Sequence, residues 1–304
     1  MKNIVLNLLP FNNRKDMTKA EYVTKQILAF VLIYVLSVIV GEVVIIGALS
    51  GMGYDVANGE MPPEGIITWL LSYFEYFIYI LITFLYFKVI EKESPRSMFQ
   101  GKVLDYLAGA LLAVGLLGVI IGGNCATGTI SFLGLGEGVN VGNLLLILPG
   151  IMLQAASEEI LCRGFLMNAL KKKISVPASV FISSTVFVLP HVLGMLSCEP
   201  AYLIVGILNL YLISILFSVL TLRRGSIWMA CGLHFAWNYV LNVVMGLAVS
   251  GHESLSNGPL AFLVKEGNLL NGGAYGIEAS ILTTVVIGLN LAGLCFLLVP
   301  KKRI

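Results

Sequence analysis

Eight apolar runs, each about as long as a membrane-spanning helix, dominate this sequence of 304 residues. A helix needs roughly 17 to 25 mostly apolar residues to cross the hydrocarbon core of a bilayer. Only 12% of the residues are charged, whereas a soluble domain usually has about a quarter. We therefore predict an all-α, polytopic membrane protein. The predicted spans are residues 27–49, 66–87, 106–122, 143–169, 175–196, 201–221, 226–249 and 280–299.

The cations fall on one side of these spans. Membrane proteins concentrate Lys and Arg in short cytoplasmic loops. Of the 19 Lys and Arg residues, only Lys265, in an outer loop, and Arg163, within the fourth span, break the pattern. We therefore predict a multi-pass protein of the cell membrane with both termini in the cytoplasm. The net charge of +2 gives no reason to expect binding to nucleic acid.

The connections between the predicted spans are too short for a soluble domain, so we predict a single integral membrane domain over residues 1–304. The outer connection at 123–142 is rich in glycine and is predicted to be irregular surface chain. In the third span, Gly118 and Gly122 form a GxxxG pair, a pattern that permits close approach of a second helix.

Acidic side chains within the predicted spans are functional candidates, because a charge at the centre of a membrane helix costs about 2.5 to 3.5 kcal/mol on insertion scales. Glu42 and Glu75 stand alone in the first two spans, and their role stays open. Glu158 and Glu159 occur with Arg163 in the string AASEEILCRGF. Glu159 and Arg163 are four residues apart and share a helix face, whereas Glu158 is rotated about 100° away. Glu158 is therefore predicted to face another helix, where burial can tune its pKa for work as a general base.

Two of the three histidines lie in later spans. His191 ends the string FVLPH, and His234 begins HFAWN. Asn238 follows His234 by one helical turn, so the two side chains share a face. Glu158, both imidazoles and the Asn238 amide are predicted to meet near the middle of the membrane. The alternative is structural, with buried charges tying helices together and hydrogen-bonded histidines in the core.

These side chains suit hydrolysis of a peptide bond inside the membrane. Glu158 would take a proton from water, with His191 orienting that water. His234 and Asn238 would donate to the tetrahedral oxygen. In the alternative, Glu158, His191 and His234 hold a single divalent metal, with zinc as the candidate, and water fills the fourth position. The absence of the HExxH string mildly favours the metal-free version, so the predicted cofactor is none or one such ion.

The motifs, in this order on separate predicted helices, resemble the CPBP family of CAAX proteases and bacteriocin-processing intramembrane endopeptidases. The string GSIWMACGLHFAWN is also similar to the last motif of that family. The resemblance covers roughly residues 143–245, and we predict a catalytic core at 143–249. It implies about eight helices around a cavity open to the cytosol, and it leaves the cofactor open. It implies a catalytic Glu158, supported by Glu159, Arg163, His191, His234 and Asn238.

The substrate follows less directly. Eukaryotic and archaeal relatives in the family are linked to prenylated CAAX tails, and many bacterial members to bacteriocin immunity or peptide maturation. Short loops and many lysines favour a bacterial protein, so we predict a membrane-associated peptide or protein substrate within the lipid bilayer. Two other functions use the same residues. One is a proton-coupled transporter, and the other is a non-catalytic bacteriocin immunity or scaffold protein.

Overall fold

The computed structural model of the protein describes residues 2–14, 16–62, 66–250, 258–265 and 267–296. It is 73% helical with almost no sheet, which confirms the all-α prediction. Each of the eight predicted spans contains a helix. The helices are α1 (Lys2–Leu8), α2 (Lys19–Gly51), α3 (Ile66–Val89), α4 (Leu104–Ala126), α5 (Val141–Glu159), α6 (Asn168–Leu170), α7 (Val176–Met195), α8 (Pro200–Arg224), α9 (Trp228–Asn238) and α10 (Ile281–Phe296).

Five helical segments are long and apolar enough to cross a membrane, so the protein is multi-pass. They are α2, α4, α7, α8 and the segment Val141–Leu170, which joins α5 to α6. The first of them begins at Lys19 rather than at the predicted residue 27. Thr18 and Glu21 form a capping box there, because each side chain bonds to the backbone N–H of the other. This polar start lies outside what hydropathy can detect.

The described residues form two units, each assembled from separate stretches of chain. The first unit takes its residues from 1–102, 141–183 and 221–231, and the second from 103–140, 184–220 and 232–304. The single integral domain and the catalytic core at 143–249 stay predictions.

Two ion pairs join the polar ends of helices in the first unit. Lys25, near the start of α2, pairs with Glu91, which follows α3, and both side chains are buried. Lys172, which follows α6, pairs with Glu93. The cation-rich ends of the predicted first, second and fourth spans therefore lie together, as alternate crossings of a membrane require. Which side of the membrane they face stays a prediction.

A close crossing of α3 and α5 fixes the helix that carries the paired acids. A Cβ atom at Gly150 of α5 would lie 2.0 Å from the Tyr73 ring of α3. The absence of a side chain at residue 150 therefore lets the ring pack directly on the α5 backbone. Glu75, one turn or less further along α3, lies against Gly41 of α2.

The second unit contains a two-stranded antiparallel sheet that corrects the prediction of an irregular outer loop. Strand β1 (Ile130–Leu135) pairs with β2 (Leu260–Val264), with Ile130 opposite Val264. The register shifts between Phe132 and Gly134. The Lys265 N–H then donates to the Thr129 carbonyl at 3.0 Å and extends the pairing. Within the predicted loop, the backbone groups of residues 130–135 thus pair with a second strand.

In the same unit, α9 lies directly on the start of α4. A Cβ atom at Gly232 would lie 1.9 Å from the Tyr106 carbonyl oxygen. One turn along the helix, the Phe235 ring stacks on the Tyr106 ring at 5.9 Å. By contrast, Gly118 and Gly122 of α4 have open space beside them among the described residues, so the close approach that the GxxxG pair permits does not occur there.

Gly232→Ala is expected to destabilise the protein by about 1–3 kcal/mol, because its methyl group would overlap backbone rather than a flexible side chain. The matched control is Gly118→Ala, which adds a methyl group in open space on a helix and should be neutral or stabilising by about 1 kcal/mol. Thermal unfolding in detergent micelles measures both. Equal melting temperatures for the two variants would contradict the close approach.

Candidate active site

In the first unit, the two acids end a regular helix and a wider one follows. Helix α5 stops at Glu159, and residues Ile160–Met167 are π-helical. A π-helix leaves carbonyl groups displaced from the usual ladder, and such turns are often found at functional sites. The Ser183 hydroxyl donates to the displaced Cys162 carbonyl at 2.8 Å. The widened turn therefore begins immediately after the acidic pair and is held by a side chain of α7.

Glu159 and Arg163 form the contact that their spacing predicts. Arg163 Nη1 donates to Glu159 Oε1 at 2.9 Å, and both side chains are 0% exposed. A buried ion pair gains little net stability, but removing one partner is costly. The pair therefore neutralises Glu159 and ties the last turn of α5 to the π-helical segment.

Glu158 lies on a different face of α5 and is half-buried. Gln154, one turn earlier, donates from Nε2 to Glu158 Oε1 at 3.3 Å. The phenols of Tyr34 on α2 and Tyr76 on α3 interact electrostatically with the Glu158 carboxylate. Sequence reasoning missed these three polar neighbours. The i, i+4 spacing to Glu158 was a signal for Gln154, whereas only the fold brings the tyrosines near.

The Ser157 hydroxyl bonds within its own helix. Its Oγ donates to the Gln154 backbone carbonyl at 2.8 Å, the usual bond of a helical serine to the preceding turn. This bond accounts for the position of Ser157 beside Glu158.

In the second unit, both predicted histidines contact one aromatic ring. The Phe187 ring of α7 lies 4.9 Å from the His191 ring and 6.0 Å from the His234 ring of α9. On α8, Phe217 stacks on His234 at 4.9 Å. His234 and Asn238 are both buried. The unit therefore brings two imidazoles from α7 and α9 against apolar rings, and it buries the Asn238 amide one turn from His234.

A hydrogen bond fixes the proton on the inner nitrogen of His191. His191 Nδ1 lies 2.8 Å from the Phe187 backbone carbonyl oxygen. Because a carbonyl oxygen only accepts, Nδ1 must carry the hydrogen. In the neutral ring, Nε2 then presents its lone pair, which can accept from water or bind a metal.

The third motif also borders a π-helical turn. Helix α9 ends at Asn238, and residues Tyr239–Val244 are π-helical. Both the acidic pair and the asparagine therefore lie at a junction between α-helical and π-helical backbone. No local feature of the sequence marks either junction.

The metal alternative needs Glu158 of the first unit and both imidazoles of the second. The described part of the chain holds no group of three or more His, Cys, Asp or Glu side chains arranged for a metal ion. The His₂Glu set and the choice between no cofactor and one divalent ion stay predictions.

If Glu158 is the general base that the sequence predicts, Gln154→Met should lower kcat for peptide cleavage about tenfold, because it removes a donor to the Glu158 carboxyl group while keeping the side-chain volume. Met152→Leu, at an exposed position of the same helix, is the control and should leave kcat unchanged. Steady-state cleavage assays on the purified variants measure both. A wild-type kcat for Gln154→Met would show that this hydrogen bond does not orient Glu158.

The fold and these residues define a class: a multi-pass, all-α membrane protein with an acidic motif on one helix and histidine motifs on two others. Residues 140–240 match the family model described as type II CAAX prenyl endopeptidase Rce1-like. The match confirms the predicted resemblance to the CPBP family, and residues 140–240 are similar to the domain of an endopeptidase family. All six predicted site residues lie within the matched third of the chain. A comparison with curated proteins finds no match.

Proposed function

We propose that this protein is an intramembrane endopeptidase in which Glu158 activates the water that cleaves a membrane-associated peptide or protein. One observation supports this most strongly. Within the matched segment, Glu159 is fully buried against Arg163, whereas its neighbour Glu158 is half-buried. Of the two acids, Glu158 has the side chain that a water molecule can reach.

The proposed reaction begins when Glu158 removes a proton from water. The water oxygen attacks the carbonyl carbon of the peptide bond, while His191 Nε2 accepts a hydrogen bond from the same water. His234 and the Asn238 amide stabilise the oxyanion that forms. The carbon–nitrogen bond then breaks, and Glu158 returns its proton to the leaving amine. If a divalent metal is bound, Glu158, His191 and His234 would hold it, and it would acidify the water.

The proposed substrate is a peptide or protein held in the lipid bilayer, and the proposed location is the cell membrane with both termini cytoplasmic. The name of the matched family raises a prenylated C-terminal tail as the competing substrate. The short loops and many lysines favour a membrane-associated peptide without a prenyl group. Proteomic comparison of membrane and secreted peptides between cells with the wild type and an inactive variant separates the two.

His234→Ala is expected to lower kcat about a hundredfold or more, since it removes a donor to the oxyanion. The assay uses purified protein in lipid nanodiscs and peptides found by that comparison, with and without a chelator. Leu289→Ala, at an exposed position of α10, is the matched control and should keep full activity.

Cleavage, vesicle uptake and bacteriocin protection together separate the competing functions. Unchanged cleavage by His234→Ala would contradict the proposal. Ion-coupled uptake by vesicles, in the absence of cleavage, would indicate the transporter. Protection against a bacteriocin that survives loss of Glu158 would indicate the immunity or scaffold protein. Loss of cleavage on chelation, restored by zinc, would replace the metal-free mechanism with the metal-dependent one.

A further inference from the structure

A carboxylate outside the family motifs holds the helix that carries His234 and Asn238. Glu278 lies in the short 3₁₀ turn Ile277–Ala279, just before α10. Its Oε1 accepts from Trp237 Nε1 at 3.0 Å. Its Oε2 accepts from Ser250 twice, from the backbone N–H at 2.7 Å and from the hydroxyl at 2.9 Å. One acid therefore connects α9 to the chain that follows the second π-helical turn.

Trp237 connects the Glu278 carboxylate to the helix that carries His234 and Asn238. It lies between His234 and Asn238 on α9, and its side chain is only 3% exposed. A hydrogen bond to an ionised carboxylate is roughly twice as strong as a neutral one. Because the indole is rigid and enclosed, fixing its N–H fixes the rotation of α9 about its own axis. That rotation sets where the imidazole and the amide point.

The backbone around Glu278 is itself anchored to two further helices. Asn209 of α8 donates from Nδ2 to the carbonyl oxygens of Glu278 and Ser280, at 2.8 Å each. The Thr284 hydroxyl of α10 donates to Asn209 Oδ1 at 2.6 Å. The Asn209 side chain is buried, so these bonds are shielded from water. Hydrogen bonds to α8 and α10 therefore hold the backbone that carries the Glu278 carboxylate.

The backbone at Ser250 also indicates a specific role for the carboxylate. Ser250 has a φ of 52°, in the left-handed region that residues other than glycine seldom adopt. The two bonds to Glu278 hold the residue in this conformation. Three donors from two segments of the chain therefore converge on this one carboxylate.

We propose that Glu278 is a positioning residue that sets the orientation of His234 and Asn238 through Trp237. This role rests on the proposed function, in which those two side chains stabilise the oxyanion. Nothing in the local sequence of Glu278 connects it to α9.

The test compares Glu278→Gln, Trp237→Phe and the double variant in the nanodisc cleavage assay. A carboxamide has one acceptor oxygen instead of two, so Glu278→Gln turns an NH₂ group toward either Trp237 or Ser250 and breaks the Ser250–Glu278–Trp237 connection. Trp237→Phe removes the indole N–H from the same connection while keeping an aromatic ring. We expect kcat to fall about tenfold to a hundredfold in each single variant with KM unchanged, since small displacements of catalytic groups are costly. The double variant should fall little further, because both changes break one link.

Glu137→Gln changes an exposed acid in an outer loop of the same unit and is expected to keep the wild-type kcat. A role limited to stability would lower the melting temperature and the fraction of active enzyme, but not the kcat of the enzyme that remains active. Additive losses of kcat in the double variant would show that the two residues do not act through one link. Either result would overturn the proposal. If one variant fails to fold, the other still tests it.

Failure of this inference and failure of the proposed function are distinguishable in the same assay. If His234→Ala is inactive and both Glu278→Gln and Trp237→Phe have the wild-type kcat, only the positioning role is wrong. If His234→Ala is fully active, the oxyanion role of His234 is wrong, and the role of Glu278 is wrong with it.

Discussion

Glu158→Gln is expected to lower the rate of peptide cleavage by about 10²- to 10⁴-fold, the range that a general base contributes. Glutamine has the shape of glutamate and can still accept from Gln154 at Oε1. It cannot accept a proton from water, however, so the attacking oxygen is not activated. The variant should therefore fold, insert into the membrane and bind substrate with a nearly unchanged KM. Steady-state kinetics in nanodiscs measure kcat and KM separately.

The control for this result is Ser157→Ala, one residue away on the same helix. Ser157 donates only to the backbone of its own helix in the described contacts, so its loss should leave kcat within about threefold of the wild type. If Ser157→Ala were inactive and Glu158→Gln active, the nucleophile would be a serine and the glutamate mechanism would be wrong.

The second prediction with a large effect concerns the free energy of unfolding rather than the rate of peptide cleavage. Arg163→Met is expected to destabilise the protein by about 3–5 kcal/mol, because it removes the cation from a carboxylate buried inside the protein. The double variant Glu159→Gln, Arg163→Met should recover part of that loss, since it leaves no charge behind. Denaturant unfolding in mixed micelles measures the free energy of unfolding of the purified wild type, the Arg163→Met variant and the double variant.

Lys172→Met provides the comparison, because Lys172 also pairs with a glutamate but at a partly exposed position. Exposed pairs contribute about 0–1 kcal/mol, so this loss should be small. Similar destabilisation by Arg163→Met and Lys172→Met would contradict the burial of the Glu159–Arg163 pair.

The spans could be predicted from the sequence because their signal is local. A run of apolar residues of the right length reports a helix without reference to the rest of the chain. The predicted start of α2 was wrong, because its first turn is set by the Thr18–Glu21 capping box rather than by hydropathy. The pairing of β1 with β2 could not be predicted in this way. Ile130 meets Val264 only because the fold brings two distant loops together.

The same distinction holds for the candidate site. Contacts between residues close in sequence could be predicted, whereas contacts between distant segments could not. The Glu159–Arg163 contact follows from a spacing of four residues, and the structure has it. The two π-helical turns and the Trp237–Glu278 bond depend on packing between segments that are far apart in sequence. The motif resemblance supplied the six site residues, but it gave no sign of Gln154 or Glu278.

The central claim is that Glu158 and His234 act on one substrate bond. In a variant whose native cysteines are replaced by serine, Glu158→Cys and His234→Cys are introduced together and treated with a short thiol-to-thiol cross-linker. Glu158→Cys with Leu289→Cys, at an exposed position of α10, is the control. The account predicts rapid cross-linking of the first pair and none of the second. Failure of the first pair to cross-link, with both thiols accessible to a monofunctional reagent, would contradict it.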